Sequence, residues 1–63
     1  MKTSLFKVEY RYKDGPWITI HESSHPHLCF NIYKHEVNRH FSDSNREFRC
    51  LVWFGGDYHT INI

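Results

Sequence analysis

Two strand–turn–strand patterns, one in each half of the sequence, constrain the fold of this chain more than any other feature. In the first pattern, four apolar or aromatic residues alternate with charged ones, and they are Phe6, Val8, Tyr10 and Tyr12. This two-residue period is typical of a strand with one buried face. Asp14-Gly15 follows, and it predicts a tight hairpin turn because both central residues of that turn need a positive φ. Pro16 then suits the start of a return strand through Glu22, so we expect a β-hairpin over residues 5–22.

The second pattern begins with the stretch REFRCLVWF at 46–54, whose second half is apolar at consecutive positions. A strand that is apolar on both faces is expected to occupy a central place in a sheet. Gly55-Gly56 supplies the turn, and residues 57–63 form the predicted final strand. Three side chains of this strand are available to pack, and they belong to Tyr58, Ile61 and Ile63.

The segment between the hairpins, SSHPHLCFNIYKHEVNRH, carries four of the six histidines. As a helix over 26–41 it has Ser24 as its N-cap and Pro26 in its first turn. One face is then an apolar ridge with i+4 spacing, flanked by two further apolar residues: Cys29, Tyr33, Val37 and Phe41, with Leu28 and Ile32 beside them. The opposite arc is polar and contains His27, Asn31, Lys34, His35, Asn38 and Ser42.

The same segment also permits a strand, in which Leu28, Phe30 and Ile32 line one face. The helix is favoured because its polar arc persists for four turns. The predicted fold is therefore a small α+β domain of ββαββ type, with two antiparallel hairpins and one helix packed on the sheet. The alternative is an all-β domain of five short strands.

Length and composition indicate one compact domain over residues 1–63. A chain of this length buries only about 60 % of the surface that its unfolded form exposes, so its aromatic residues, 17 % of the sequence, are expected to supply much of the core. Eight basic and seven acidic residues alternate without forming a block, and the net charge is +1. A nucleic-acid-binding domain usually carries a basic stripe, so this class is not favoured.

The first residues contain no apolar segment after Lys2, and no apolar run approaches the ~20 residues of a membrane helix. We therefore predict a cytoplasmic chain without a membrane segment. In that setting Cys29 and Cys50 are expected to be reduced thiols. Their spacing matches no zinc pattern, and the histidines do not complete a set of four ligands. Neither a metal nor a cofactor is predicted.

The stretch SSHPHLCF contains the candidate catalytic groups, since His25 and His27 could act as general acid and base. It follows a predicted strand and resembles the Gly-Ser-His-His stretch of HicA-type mRNA interferases, with Ser23 at the glycine and Pro26 at the second histidine. The resemblance implies RNA cleavage with His25 as the catalytic residue. A small HicA-like RNase or RNA-binding domain that uses these histidines is therefore the alternative function.

Six aromatic and arginine residues are the candidate binding residues, and they are Tyr10, Arg11, Tyr12, Trp17, Arg49 and Trp53. Tyr, Trp and Arg dominate the binding energy of protein interfaces. The near-neutral charge favours a protein partner over a nucleic acid. We therefore predict a protein-binding module of the kind with which phages and mobile elements inhibit or modulate a host protein, and not an enzyme. An exposed edge strand could also pair two copies into a homodimer.

Overall fold

The computed structural model describes residues 5–61, in which the elements follow the order strand, strand, helix, strand, strand. They are β1 (Phe6–Tyr12), β2 (Ile18–Ser23), α1 (Pro26–Arg39), β3 (Arg46–Phe54) and β4 (Asp57–Thr60). This is the predicted ββαββ domain, and the all-β alternative is wrong because residues 26–39 form a helix. The expected packing of Ile63 falls outside the described residues.

The four strands form one antiparallel sheet in the order β2-β1-β3-β4. Each hairpin supplies two neighbouring strands. The pairing of β1 with β3 joins the hairpins and runs from Phe6 opposite Val52 to Tyr12 opposite Arg46. β3 is therefore internal, as its doubly apolar second half predicted, and β2 and β4 are the edges of the sheet.

The first hairpin turns one residue earlier than the predicted Asp14-Gly15 pair. Lys13 adopts a φ of 57°, and the N–H of Gly15 donates to the carbonyl oxygen of Tyr12 at 3.2 Å. The turn is therefore closed around Lys13 and Asp14. β2 begins only at Ile18, so Pro16 and Trp17 both precede the return strand that was expected to start at Pro16.

The second hairpin turns where predicted. Gly55 and Gly56 have φ values of 62° and 87°, which residues with a Cβ atom rarely adopt. Beyond β4, the N–H of Ile61 donates to the carbonyl oxygen of Cys50 at 2.9 Å. The side chain of Ile61 packs against the core, as expected.

The core lies between α1 and the sheet. Val8 of β1, Cys29 of α1 and Cys50 of β3 are fully buried. Partly buried apolar side chains surround them, and these are Phe6, Phe30, Ile32, Tyr33 and Ile61. The rings of Phe6 and Phe30 meet edge to face with centroids 6.5 Å apart. Aromatic contacts of this kind supply much of the apolar burial in so small a domain.

Most of the amphipathic pattern predicted for the helix is confirmed. All six residues of the predicted polar arc are exposed, namely His27, Asn31, Lys34, His35, Asn38 and Ser42. On the apolar ridge, Cys29 is buried and Tyr33 packs against the core. The placement of Phe41 on that ridge is wrong, because α1 ends at Arg39 and Phe41 lies in the following turn with 85 % of its surface exposed.

The predicted N-cap is also wrong by one residue. His25, and not Ser24, is the N-cap, and its side chain makes no capping hydrogen bond. Instead the hydroxyl oxygen of Ser23 accepts a hydrogen bond from the backbone N–H of His25 at 3.0 Å. This contact turns the chain from β2 into α1, and Pro26 occupies the first turn as predicted. No helix within residues 5–61 is long and apolar enough to cross a membrane.

A candidate binding surface on the open face of the sheet

Alternation along the strands gives the sheet two different faces. Val8 and Cys50 lie opposite each other and are buried with Cys29 of the helix. Their neighbours in sequence therefore point to the other side, which we term the open face. It carries Lys7, Glu9, Arg11, Thr19, Glu22, Glu47, Arg49, Leu51, Trp53, Tyr58 and Thr60, together with Trp17, which contacts two of these side chains.

A buried carboxylate lies at the centre of the open face. Glu9 is only 9 % exposed, and its Oε1 atom accepts hydrogen bonds from Nη2 and Nε of Arg49 at 2.6 and 2.9 Å. Its Oε2 atom accepts a hydrogen bond from the hydroxyl of Thr19 at 3.1 Å. Both oxygens of the carboxylate are thus bonded, as a buried charge requires. This cluster links all three of the strands β1, β2 and β3.

Trp17 lies beside two guanidinium groups. The central guanidinium carbon of Arg49 is 4.0 Å from the ring centroid of Trp17, and that of Arg11 is 4.7 Å away. These are cation–π distances. Arg11 also donates two hydrogen bonds to the carboxylate of Glu47 at 3.0 and 3.2 Å, and this hydrogen bonding raises the pKa of Arg11. The ring of Trp17 is therefore held in place although the residue lies outside a strand.

A second aromatic group lies on the same face toward the β3–β4 hairpin. The rings of Trp53 and Tyr58 meet edge to face with centroids 4.9 Å apart. The ammonium of Lys7 lies 4.2 Å from the Tyr58 centroid. Leu51, only 5 % exposed, is buried on this side of the sheet although α1 packs on the other side. The aromatic and basic side chains therefore shield part of the open face themselves.

The charges of the open face are balanced. Each of its three cations contacts a carboxylate, and the pairs are Lys7 with Glu22 at 4.0 Å, Arg11 with Glu47 at 3.0 Å and Arg49 with Glu9 at 2.6 Å. An array of phosphates would meet as many negative as positive side chains here. The surface is polar and aromatic without a net charge of either sign.

Four of the six predicted binding residues lie together on the open face, and they are Arg11, Trp17, Arg49 and Trp53. The other two, Tyr10 and Tyr12, lie on the helix side. Tyr10 stacks on Phe48 with ring centroids 6.1 Å apart, and Tyr12 is half-exposed beside Arg46.

Sequence reasoning missed eight of the twelve residues of this surface, and among them Lys7, Glu9 and Tyr58 make the contacts described above. The alternation of β1 contained the signal for the first two, because Lys7 and Glu9 share the parity of Arg11 and not that of Val8. The position of Tyr58 opposite Trp53 follows only from the register of β3 with β4.

The candidate catalytic histidines lie elsewhere. His25 caps the helix, His27 follows in its first turn, and both are exposed. Within residues 5–61 no side-chain hydrogen bond holds either imidazole.

The two cysteines are free thiols inside the core. The Sγ atom of Cys50 lies 3.9 Å from the carbonyl oxygen of Cys29. Burial raises the pKa of Cys29, and burial together with the neighbouring Cys29 raises the pKa of Cys50 to about 11. Such thiols are poor nucleophiles and poor metal ligands at neutral pH, because both roles need the thiolate. In the described part of the chain, no three His, Cys, Asp or Glu side chains are grouped so that they could hold a metal ion.

No known family, curated protein or solved structure matches this chain. A function is therefore inferred from the surface itself.

Proposed function

We propose that this protein is a protein-binding module that contacts its partner through the open face of the sheet. The observation that carries the proposal is the ring of Trp17, which lies beside the guanidinium groups of Arg11 and Arg49 on the side of the sheet opposite α1. Trp, Tyr and Arg are the residues most enriched at the energetic centres of protein interfaces. Here Trp17 lies next to two arginines on one face of the sheet.

Pre-organisation of these side chains supports the same proposal. Ordering a flexible side chain at an interface costs about 0.5–1.5 kcal/mol. Arg49 is already held by Glu9, and Arg11 by Glu47. A partner that contacts the Trp17 ring would meet a surface that is largely ordered before binding.

The charge balance favours a protein over a nucleic acid as the ligand. When protein cations neutralise the phosphates of a nucleic acid, the counterions bound to those phosphates are released, and this release supplies much of the binding free energy. On the open face each cation already contacts a carboxylate. A partner with mixed polar and aromatic chemistry fits such a surface better than a chain of phosphates.

The class of partner is proposed from the type of molecule. In its short length and compactness the chain is similar in type to the small inhibitors or modulators that phages and mobile elements direct at a host protein, and we propose a host protein as the target. The edge strand β2, with Ile18 and Ile20 exposed by 48 % and 39 %, is where a second copy would pair into a homodimer. A cytoplasmic location stays a prediction from sequence.

The test starts with the chain immobilised as bait in a bacterial lysate, followed by mass spectrometry of the captured proteins. The affinity of the purified partner is then measured for Trp17→Ala and Trp53→Ala. Each change should weaken binding about 30-fold or more, as expected for the loss of a residue worth ~2 kcal/mol at an interface centre. Leu28→Ala, which removes an exposed side chain from the helix, is the matched control and should leave the affinity unchanged.

The histidine-dependent alternative is tested by the double change His25→Ala with His27→Ala. Loss of one positioned proton-transfer group costs about 10²–10⁴-fold in rate. We expect the double variant to retain partner binding, and the wild type to show neither RNA cleavage nor tight salt-sensitive binding to RNA or DNA. Cleavage by the wild type that disappears in an equally folded double variant would refute the binding-module proposal. An affinity of both tryptophan variants equal to that of the wild type would refute the use of the open face.

A further inference from the structure

A groove lies on the helix side of the sheet, where α1 ends and no longer covers the strands. It consists of two adjoining cavities of about 110 and 290 Å³, which share His40, Arg46 and Phe48. We term it the helix-end groove. Its remaining lining residues are Tyr10, Ile20 and Glu36 in the smaller cavity and Val37, Phe41, Asp43 and Ser44 in the larger one.

Aromatic rings form the walls of the helix-end groove. The ring of Phe48 stacks with Tyr10 and with His40, at centroid distances of 6.1 and 5.8 Å. Ile20 and Phe41 expose 39 % and 85 % of their surfaces at its borders. The groove thus offers apolar contact area to a side chain that enters it.

The charged groups of the helix-end groove favour a cation. Arg46 is already neutralised, since its Nε atom donates to Asp43 at 2.9 Å. The backbone N–H of Asn45 and then the Arg46 guanidinium lower the pKa of Asp43, which therefore stays ionised. Glu36 has no guanidinium or ammonium partner within residues 5–61. Its Oε2 atom lies 3.5 Å from Nε2 of His40, which offsets its charge only when the imidazole is protonated.

The carbonyl end of the helix adds partial negative charge beside the groove, and Arg39 in the last turn offsets part of it. The last carbonyl groups of a helix carry partial negative charge. The backbone N–H of His40, a residue that lines the groove, donates to the carbonyl oxygens of Glu36 and Asn38 at the end of α1. The Glu36 carboxylate is partly open, with 22 % of the side chain exposed. A positive group that enters the groove meets this carboxylate at the negative end of α1.

We propose that the helix-end groove is a second binding site, which takes a peptide segment with a basic and a bulky apolar side chain on the same side of the chain. The basic side chain lies in the smaller cavity, with its aliphatic stem along Phe48 and Tyr10 and its charge at Glu36. Long basic side chains bind in this way, with the stem on apolar surface and the head group at a polar partner.

The sizes of the two cavities agree with this division. A dry cavity of ~150 Å³ holds benzene, so a volume of about 110 Å³ suits an unbranched stem and 290 Å³ accommodates an aromatic ring. The larger cavity borders the exposed ring of Phe41, which can pack on the ring of the peptide. The helix-end groove and the open face lie on opposite sides of the sheet, so this proposal does not depend on the proposed function.

The test uses the peptide acetyl-Phe-Ala-Arg-Ala-Phe-amide as the probe. Its sequence is symmetrical, so either chain direction puts an aromatic ring two residues from the arginine, and in an extended chain such residues face the same side. The probe is titrated to about 10 mM against isotope-labelled protein, because a short peptide is expected to bind with a millimolar Kd. Saturable amide shifts in nuclear magnetic resonance spectra are expected for Glu36, His40 and Phe48.

Two variants and a matched peptide decide the outcome. Glu36→Gln should weaken binding about tenfold or more, because it removes the charge that pairs with the arginine. Trp17→Ala, on the open face, should leave it unchanged. The peptide with Glu in place of Arg should give no saturable shifts at the groove. Equal binding of both peptides, unchanged affinity of Glu36→Gln or no saturable shifts would overturn the proposal. If the groove resonances shift when the protein is diluted without any probe, the groove binds a second copy of the chain, and this result would also overturn the proposal.

Discussion

Two nitrogen atoms of Arg49 lie 2.6 and 2.9 Å from the same carboxylate oxygen of Glu9. The contact connects the two central strands, which lie 40 residues apart in sequence. The guanidinium carbon of Arg49 also lies 4.0 Å from the ring centroid of Trp17. The Glu9–Arg49 ion pair therefore joins the two central strands and also positions the Trp17 ring on the proposed binding surface.

Glu9→Ala should destabilise the domain by about 2–3 kcal/mol. Breaking a well-shielded ion pair leaves its partner as an uncompensated charge, and here Thr19 also loses its acceptor. The control is Glu47→Ala, because Glu47 forms the exposed counterpart with Arg11. Exposed pairs are worth about 0–1 kcal/mol. Urea denaturation of both variants measures the two effects, and equal losses would contradict a special role of Glu9.

Phe30→Ala and Phe41→Ala should differ strongly although both remove a phenylalanine near the helix. Phe30 packs on the core beside Phe6, so its loss should cost about 2–4 kcal/mol. Phe41 is 85 % exposed, and its loss should change the free energy of unfolding by no more than ~0.5 kcal/mol. Thermal denaturation followed by circular dichroism checks this ranking. The reverse ranking would mean that α1 continues past Arg39 and buries Phe41.

Lys13→Gly should stabilise the domain by up to about 1 kcal/mol. Lys13 has a φ of 57°, and a left-handed conformation costs an L-residue about 1–2 kcal/mol. Glycine avoids this cost, but its greater conformational freedom in the unfolded chain offsets part of the gain. Lys34→Gly is the matched control, because it removes the same charge from an exposed position in the middle of α1. There glycine should destabilise by about 1 kcal/mol. Chemical denaturation should therefore give changes of opposite sign, and a loss in both variants would contradict the turn geometry.

The stability of the domain should fall as the pH rises from about 9 to 11. Burial raises the pKa of Cys50 from its ordinary value near 9 to about 11, so in this window the unfolded chain loses a proton that the folded chain retains. The stabilisation is complete below pH ~9 and is lost progressively above it. Its full size is on the order of 3 kcal/mol, and Cys29 adds to it in the same direction.

Cys50→Ala isolates this effect, because every other ionisable group is common to both proteins. The variant will be less stable at pH 8 owing to the lost side chain, but its stability should fall less steeply above pH 9. Urea denaturation at intervals between pH 8 and pH 11 gives both curves. Parallel curves would show that the Cys50 thiol does not titrate differently in the folded and unfolded states.

Local patterns in the sequence determined the kinds of element and their order. The alternation of β1, the doubly apolar half of β3 and the Gly55-Gly56 turn each depend on residues a few positions apart, and all three predictions are confirmed. The polar arc of α1 is confirmed for the same reason. Such features follow from periodicity and turn chemistry, which need no knowledge of distant contacts.

Only the tertiary structure decided which side chains form one surface. The pairing of β1 with β3 brings Glu9 to Arg49, and the slip of the first turn to Lys13 leaves Trp17 outside a strand and over the open face. The early end of α1 exposes Phe41, which helical periodicity alone put in the core. The contact of Glu9 with Arg49 joins residues far apart in sequence, and a local pattern carries no information about which distant partner completes it. Arg11 was predicted to bind together with Tyr10 and Tyr12, but adjacent strand residues face opposite sides of the sheet, so Arg11 lies on the open face and the two tyrosines on the helix side.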